Sequence, residues 1–147
     1  MSNLLLLLVL VTAGCSPKPA EHRTIRVAAA ADLTKAFTEL AGHFKTTTGI
    51  TVELQFGASG MLAKQIEQGV PFAMFAAANR SYIDQVVRAG RCDASTARSY
   101  ALAICGTGGS ADAARQFAAF VASSDGRELM TRYGFALPED EVPSRTP

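Results

Sequence analysis

The chain carries no excess charge of either sign, with 14 Lys and Arg against 13 Asp and Glu and a formal net charge of +1. No bulk field gathers nucleic acid or anionic lipid, so neither a nucleic-acid partner nor a basic membrane patch is expected. Histidine is scarce, with only His22 and His43, which leaves few places for a catalytic base. Three cysteines, Cys15, Cys92 and Cys105, match no metal-ligand spacing. The apolar run over residues 4–11 falls short of the roughly 20 residues that a helix needs to cross a bilayer. No internal repeat is evident, and Gly106-Thr107-Gly108-Gly109 lacks the G-K-[ST] ending of a phosphate loop. What is present is an ordinary globular composition: 147 residues, 48% hydrophobic, 18% charged and 7% aromatic. Folding at this length buries roughly two-thirds of the unfolded surface, enough for one core, and two lobes would be cramped.

The leucine- and valine-rich residues 4–11 lead to Thr12, Ala13, Gly14 and Cys15. This order reads as a removable export signal over 1–14, although Met1-Ser2-Asn3 carries no Lys or Arg. Small residues directly before Cys15 resemble the lipobox of bacterial lipoproteins, in which the cysteine becomes the lipidated first residue of the mature chain. Residues 15–23, polar and containing Pro17 and Pro19, suit a tether, with His22 a solvated member of it. Outside the cytoplasm Cys92 and Cys105 can be bridged; otherwise they are two buried thiols behaving as small hydrophobes.

From Thr24 onward, β-like runs alternate with helical patterns. Residues 25–30 form a buried-strand run, and Leu33, Ala36, Phe37, Leu40, Ala41 and Phe44 recur at helical spacing up to Gly49. Ile50, Val52, Leu54 and Phe56 alternate with polar residues, which predicts a strand nearer an edge. A turn at Gly57-Ala58-Ser59-Gly60, a short helix ending at Gly69 and an apolar run over 72–78 follow. Asn79 and Ser81 begin the next helical pattern, with Ser81 and Asp84 as a capping-box-like pair, and Gly90 ends it. Residues 100–105 are a further strand candidate. The glycine-rich loop 106–109 then precedes two carboxy-terminal helices, the second starting at Ser124-Asp125 and capped by Gly134. This order predicts an α/β fold with a mostly parallel sheet and helices on both faces. The domain reading is a signal peptide at 1–14, lipidated Cys15 and tether at 15–23, a single α/β lobe at 24–138, and a tail at 139–147.

In such sheets small ligands lie beyond the carboxyl ends of the strands, where helix amino-termini present unpaired N–H groups. Two turns have that address: Ala31-Asp32-Leu33, and Gly57-Ala58-Ser59-Gly60. The Ser59 hydroxyl and backbone N–H groups can hold a small oxyanion, the alternative being that Ser59 only caps its helix. A carboxylate repels an oxyanion, so Asp32 is either a helix cap or a contributor through its backbone alone. The enzymatic alternative, a serine hydrolase, is poorly supported. Met61 replaces the last glycine of a G-x-S-x-G elbow, and His43 reads as a helix-surface residue rather than a base for Ser59.

Several strings carry more information than periodicity: Val27-Ala28-Ala29-Ala30-Ala31-Asp32-Leu33, the segment from Phe56 to Ile66, Gly69-Val70-Pro71-Phe72, and Ala77-Ala78-Asn79-Arg80-Ser81-Tyr82-Ile83-Asp84. Together with Arg132-Tyr133-Gly134-Phe135 they resemble the molybdate-binding proteins that feed ABC importers, within the periplasmic solute-binding proteins. The resemblance implies one lobe of a type II periplasmic-binding-protein fold and a tetrahedral oxyanion, molybdate or tungstate, held by uncharged donors. It also implies no cofactor, no enzymatic activity, ABC importer membrane subunits as partners, and a periplasmic or cell-envelope location with a lipid anchor. Ser59 falls on a family ligand serine. Asp32 falls on the second position of this lobe, where serine is frequent, so a backbone contact is expected there. Ala73 and Ala77 stand where the family often has aspartate and serine. Residues 100–104 resemble the strand by which the family's chain returns from its second lobe, so that lobe reads as missing between 24–98 and 100–138, and the half-site is incomplete. A relic or interaction lipoprotein that keeps the lobe without binding anion is the alternative.

Overall fold

The computed structural model describes residues 24–98 and 100–138. The expected signal peptide, the Cys15 lipidation site with its tether, and the tail at 139–147 lie outside the described residues. The elements are β1 (Thr24–Ala30), α1 (Thr34–Thr48), β2 (Thr51–Gly57), α2 (Ser59–Glu67), β3 (Met74–Ala76), α3 (Arg80–Arg88), β4 (Leu102–Ile104), α4 (Gly108–Ala122) and α5 (Ser124–Arg132). Short 3-10 turns at Ala31–Leu33 and Ala94–Thr96 complete them.

The sheet runs β2-β1-β3-β4. β1 is parallel to both neighbours, while β4 returns antiparallel to β3. Side-chain alternation along each strand divides the interior into two layers. Ile25, Val27, Ala29, Met74, Ala76, Leu102 and Ile104 pack with the buried faces of α1, α4 and α5. Ala28, Phe75 and Ala103 point the other way, into the cluster shared by α2 and α3. The expected mostly parallel sheet with helices on both faces is therefore present.

β2 forms one margin of the sheet, as its alternation predicts, and its residues are mostly half-buried. The other margin is covered by residues 93–98. The Asp93 and Arg98 N–H groups donate to the Ile104 and Leu102 carbonyls (2.8 Å each), and the Ile104 N–H donates to Thr96 Oγ1 (2.9 Å). A 93–98 strap thus occupies the strand edge that would otherwise be open to another chain. Next to it Ala101 holds φ at 57°, a left-handed conformation that costs an L-residue roughly 1–2 kcal/mol. It lies in the tight Arg98–Ala101 turn, closed by an Ala101 N–H to Arg98 carbonyl bond of 3.0 Å.

Three expectations are corrected. Asn79, not a Ser81–Asp84 box, caps α3: its Oδ1 accepts from the Ser81 N–H (3.0 Å), and Asp84 pairs with Arg80 one turn earlier (2.9 Å). The apolar runs 72–78 and 100–105 yield strands of only three residues each, because the chain bends at both ends of β3 into backbone bonds outside the ladder. The glycine-rich 106–109 segment is half helix, since α4 begins at Gly108. Cys92 and Cys105, left open by sequence, form a disulfide. Cys105 follows Ile104, which faces the first residue of β3, so the bridge lies at the amino-terminal rim of the parallel strands.

Candidate functional site

The two turns singled out by sequence leave the same rim. Ala30 and Gly57, the last residues of β1 and β2, are register partners in the parallel pair, so Ala31–Leu33 and Ala58–Gly60 emerge side by side. Neither helix start is capped by a side chain. At α2 the Met61 and Leu62 N–H groups both donate to the Ala58 carbonyl (3.0 Å each), which leaves the Ser59 and Gly60 N–H groups ahead of the helical ladder. A Cβ at Gly60 would sit in ordinary contact with the Tyr82 ring at 3.4 Å.

Ser59 is the buried polar residue of the described core, 6% exposed. It does not cap α2, the bland alternative for it. Its Oγ accepts the Ala78 N–H at 2.9 Å. A hydroxyl that has accepted a bond still carries its own proton, so the Ser59 O–H is left as a donor. Accepting from an amide polarises that hydroxyl further toward donation. The tie also fixes the turn after β3 against the start of α2, a contact across 19 residues. No local sequence pattern signals the role of Ala78, because it acts through its main chain.

Asp32 is exposed on its 3-10 turn and makes no cap bond, so its reading as a helix cap is not what the structure shows. The Ala31 carbonyl is taken by Thr34, through both its N–H and its Oγ1 (2.6 Å). Asp32 lines a cleft of about 300 Å³ with Leu33, Ala78, Asn79, Arg80 and Tyr100. Ser59 is not in that lining and reaches the cleft through Ala78. His43, the alternative base for a Ser59 nucleophile, sits exposed on α1 with Nε2 3.8 Å from Glu39 Oε1. The structure therefore brings together the Asp32 and Ser59 turns and does not pair Ser59 with histidine. Among the described residues no group of three or more His, Cys, Asp or Glu converges as a metal site, and no helix is long and apolar enough to cross a membrane.

Uncapped helix starts and a polarised serine on the carboxyl rim of an α/β sheet define a lobe suited to a small polar solute. Residues 25–103 match the family described as bacterial extracellular solute-binding protein, and the chain belongs to that family. It is similar to the molybdate-binding protein ModA of Escherichia coli K12, 38% identical over 77 residues that cover 52% of this chain and 30% of the relative. ModA of Azotobacter vinelandii is 31% identical over 96 residues, covering 65% of this chain and 38% of that protein. The match thus spans about a third of the length of these relatives. Among solved structures, the substrate-binding domain of a putative molybdenum ABC transporter from Clostridium difficile aligns with a TM-score of 0.48 at 27% identity, over 50% of this chain and 32% of that one.

Proposed function

We propose that this chain is an extracytoplasmic solute-binding lipoprotein, anchored through Cys15, that receives molybdate or tungstate for the membrane subunits of an ABC importer. Similarity to ModA proteins supports the ligand class. The single observation that carries the site is the Ala78 N–H to Ser59 Oγ bond, which leaves the Ser59 hydroxyl as a buried donor beside the uncapped start of α2. Hydrogen bonds to an ionised acceptor are about twice as strong as neutral ones, so uncharged donors suffice for an oxyanion. Asp32 contributes its backbone N–H, since a carboxylate beside an oxyanion is repulsive. No enzymatic step is assigned, because Ser59 is engaged with an amide rather than with a base. The oxyanion is ligand, and no cofactor is invoked. With one lobe, residues 24–138, the anion stays hydrated on its open side, so binding is weak compared with a closed two-lobed clamp.

Isothermal titration with molybdate, tungstate and sulfate tests this reading. Heat is expected with molybdate or tungstate, and Ser59→Ala should weaken binding by roughly 10- to 100-fold, the equivalent of a charge-assisted bond worth about 1.5–3 kcal/mol. Absence of heat with all three anions, from a chain that still melts cooperatively, overturns it and leaves a folded module that binds no oxyanion.

A further inference from the structure

The Cys92–Cys105 bridge closes a ring that contains both the 93–98 strap and β4, the strand that the strap covers. Along this stretch the backbone groups alternate between two edges. Toward β3, the Cys105 N–H donates to the Ala73 carbonyl (2.9 Å) and the Ala101 carbonyl accepts from the Ala77 N–H (2.8 Å). On the opposite edge Leu102 and Ile104 turn their groups to the strap. The strap itself is lightly held. Asp93, Ala94, Ser95 and Arg98 are exposed, while Thr96 and Ala97 are half-buried. Its 3-10 turn is fixed from within: Asp93 Oδ1 accepts from the Ser95 N–H (2.9 Å) and Oγ (2.7 Å), and the Thr96 hydroxyl donates to the Asp93 carbonyl (2.7 Å). Among the described residues, its polar ties beyond the ring are Arg80 Nη1 to the Arg98 carbonyl (3.3 Å) and the Arg115–Asp93 pair (3.8 Å). Both lie at the surface, where such contacts contribute little.

The two sulfurs differ in access. Cys92 is 8% exposed and packs in the α2 and α3 cluster, whereas Cys105 is half-buried. Both line a surface cleft of about 460 Å³, beside Gly106 and Gly108, which carry no side chain to obstruct an approach to Cys105. We propose that Cys92–Cys105 is a thiol–disulfide exchange site for a dithiol reductant, and that its opening releases the 93–98 strap from β4. A thiolate of the reductant attacks Cys105 Sγ, the S–S bond breaks, and Cys92 leaves as a thiolate. The second thiol of the reductant then displaces Cys105. The reductant ends as its own disulfide, and its two electrons and two protons rest on Cys92 and Cys105. Without the ring closure the open segment regains conformational freedom, and three hydrogen bonds of modest net worth are left to hold the strap to β4. Its departure bares the Leu102 and Ile104 carbonyls and the Ile104 N–H, an edge that the oxidised chain keeps covered. This inference is independent of the anion site at Ser59.

The test is amide hydrogen exchange followed by NMR on the full chain, oxidised and after dithiothreitol, with native-state alkylation of the Cys92 and Cys105 peptides to report reduction. Both cysteines should alkylate once reduced. The Asp93, Arg98 and Ile104 amides should then exchange roughly 10- to 100-fold faster than in the oxidised chain, at rates that low urea leaves unchanged, with the Val27 and Ala29 amides of β1 remaining slower. The Cys92→Ser, Cys105→Ser variant should show the fast rates without reductant and no response to it. Reduction without faster exchange at the three amides overturns the proposal. Acceleration that shares the urea dependence of Val27 and Ala29 is global unfolding and also overturns it. So does a bridge that resists dithiothreitol in the folded chain at concentrations that reduce the urea-unfolded chain.

Discussion

The two helical layers of this molecule are held together by different means. On the α1, α4 and α5 side, Phe117 meets Phe37 and Phe44, and Phe44 meets Phe120, in a chain of aromatic contacts with ring centroids 5.1 to 6.0 Å apart. On the α2 and α3 side Leu62, Ile66, Phe72, Phe75, Ile83 and Val86 pack with the small residues Ala28, Ala63, Ala77, Ala101 and Ala103. That layer also carries two point ties: the Cys92–Cys105 bridge at the amino-terminal rim of the parallel strands and the Ser59–Ala78 bond at the carboxyl rim. Burial of large rings is non-directional and tolerant of detail, whereas a disulfide or a single amide-to-hydroxyl bond fixes position. Both layers bury large side chains, and the directional ties that place the candidate site belong to the α2 and α3 layer.

The sharpest way to break this contrast is Phe117→Ala, at a fully buried ring. A loss of about 3–5 kcal/mol is expected, read as a fall in the urea midpoint. A loss under about 1 kcal/mol would show that the aromatic chain adds little to the stability of its layer. The paired Cys92→Ser, Cys105→Ser variant comes second. It opens a loop with a sequence separation of 13, and loops near 15 residues are worth about 3 kcal/mol in the chain-entropy account. Thermal melts of this variant should fall while Ser59-dependent anion heats persist, because the bridge and Ser59 lie at opposite rims. Loss of anion binding together with the bridge would show that the tie at the amino-terminal rim positions the carboxyl rim.

The smallest effect is one of pH on the aromatic layer. The Tyr133 hydroxyl donates to Glu39 Oε2 (2.6 Å), tying the end of α5 to α1. That bond, aided by Arg132 and His43 and opposed by desolvation, lowers the Glu39 pKa; the same bond raises that of Tyr133. The Glu39 contribution to stability is present above its unfolded pKa and is lost as pH falls through its depressed folded value. The Tyr133 contribution is present below its unfolded pKa and is lost as pH rises through its elevated folded value. Tyr133→Phe should therefore move the Glu39 carboxyl titration, followed by NMR, back toward the ordinary glutamate range. An unchanged titration would show that Arg132 and His43 alone set it.

Much of the architecture is legible in the chain because it is periodic. The helical spacing from Leu33 to Phe44 and the alternation from Ile50 to Phe56 correspond to α1 and to the marginal strand β2. Gly49, Gly69, Gly90 and Gly134 take positive φ after α1, α2, α3 and α5, as their places after apolar stripes suggest. Contacts between distant residues are not periodic and were less legible. Nothing local to Ser59 reports that the Ala78 amide will meet it, and nothing in the spacing of Cys92 and Cys105 decides between thiols and a bridge. The strap at 93–98 is similarly invisible, since it is defined by backbone bonds to Leu102 and Ile104 rather than by side-chain pattern.

That strap also sets how copies of this molecule behave when crowded together. With the β4 margin already hydrogen-bonded to its own chain, the β2 flank is, among the described residues, the sheet margin left for strand-on-strand growth. Glu53, exposed in the middle of β2, places a carboxylate along that flank, where an incoming second β2 would bring its own. Like charges deter such stacking, so the fold has one margin sealed by its own backbone and the other guarded by repulsion.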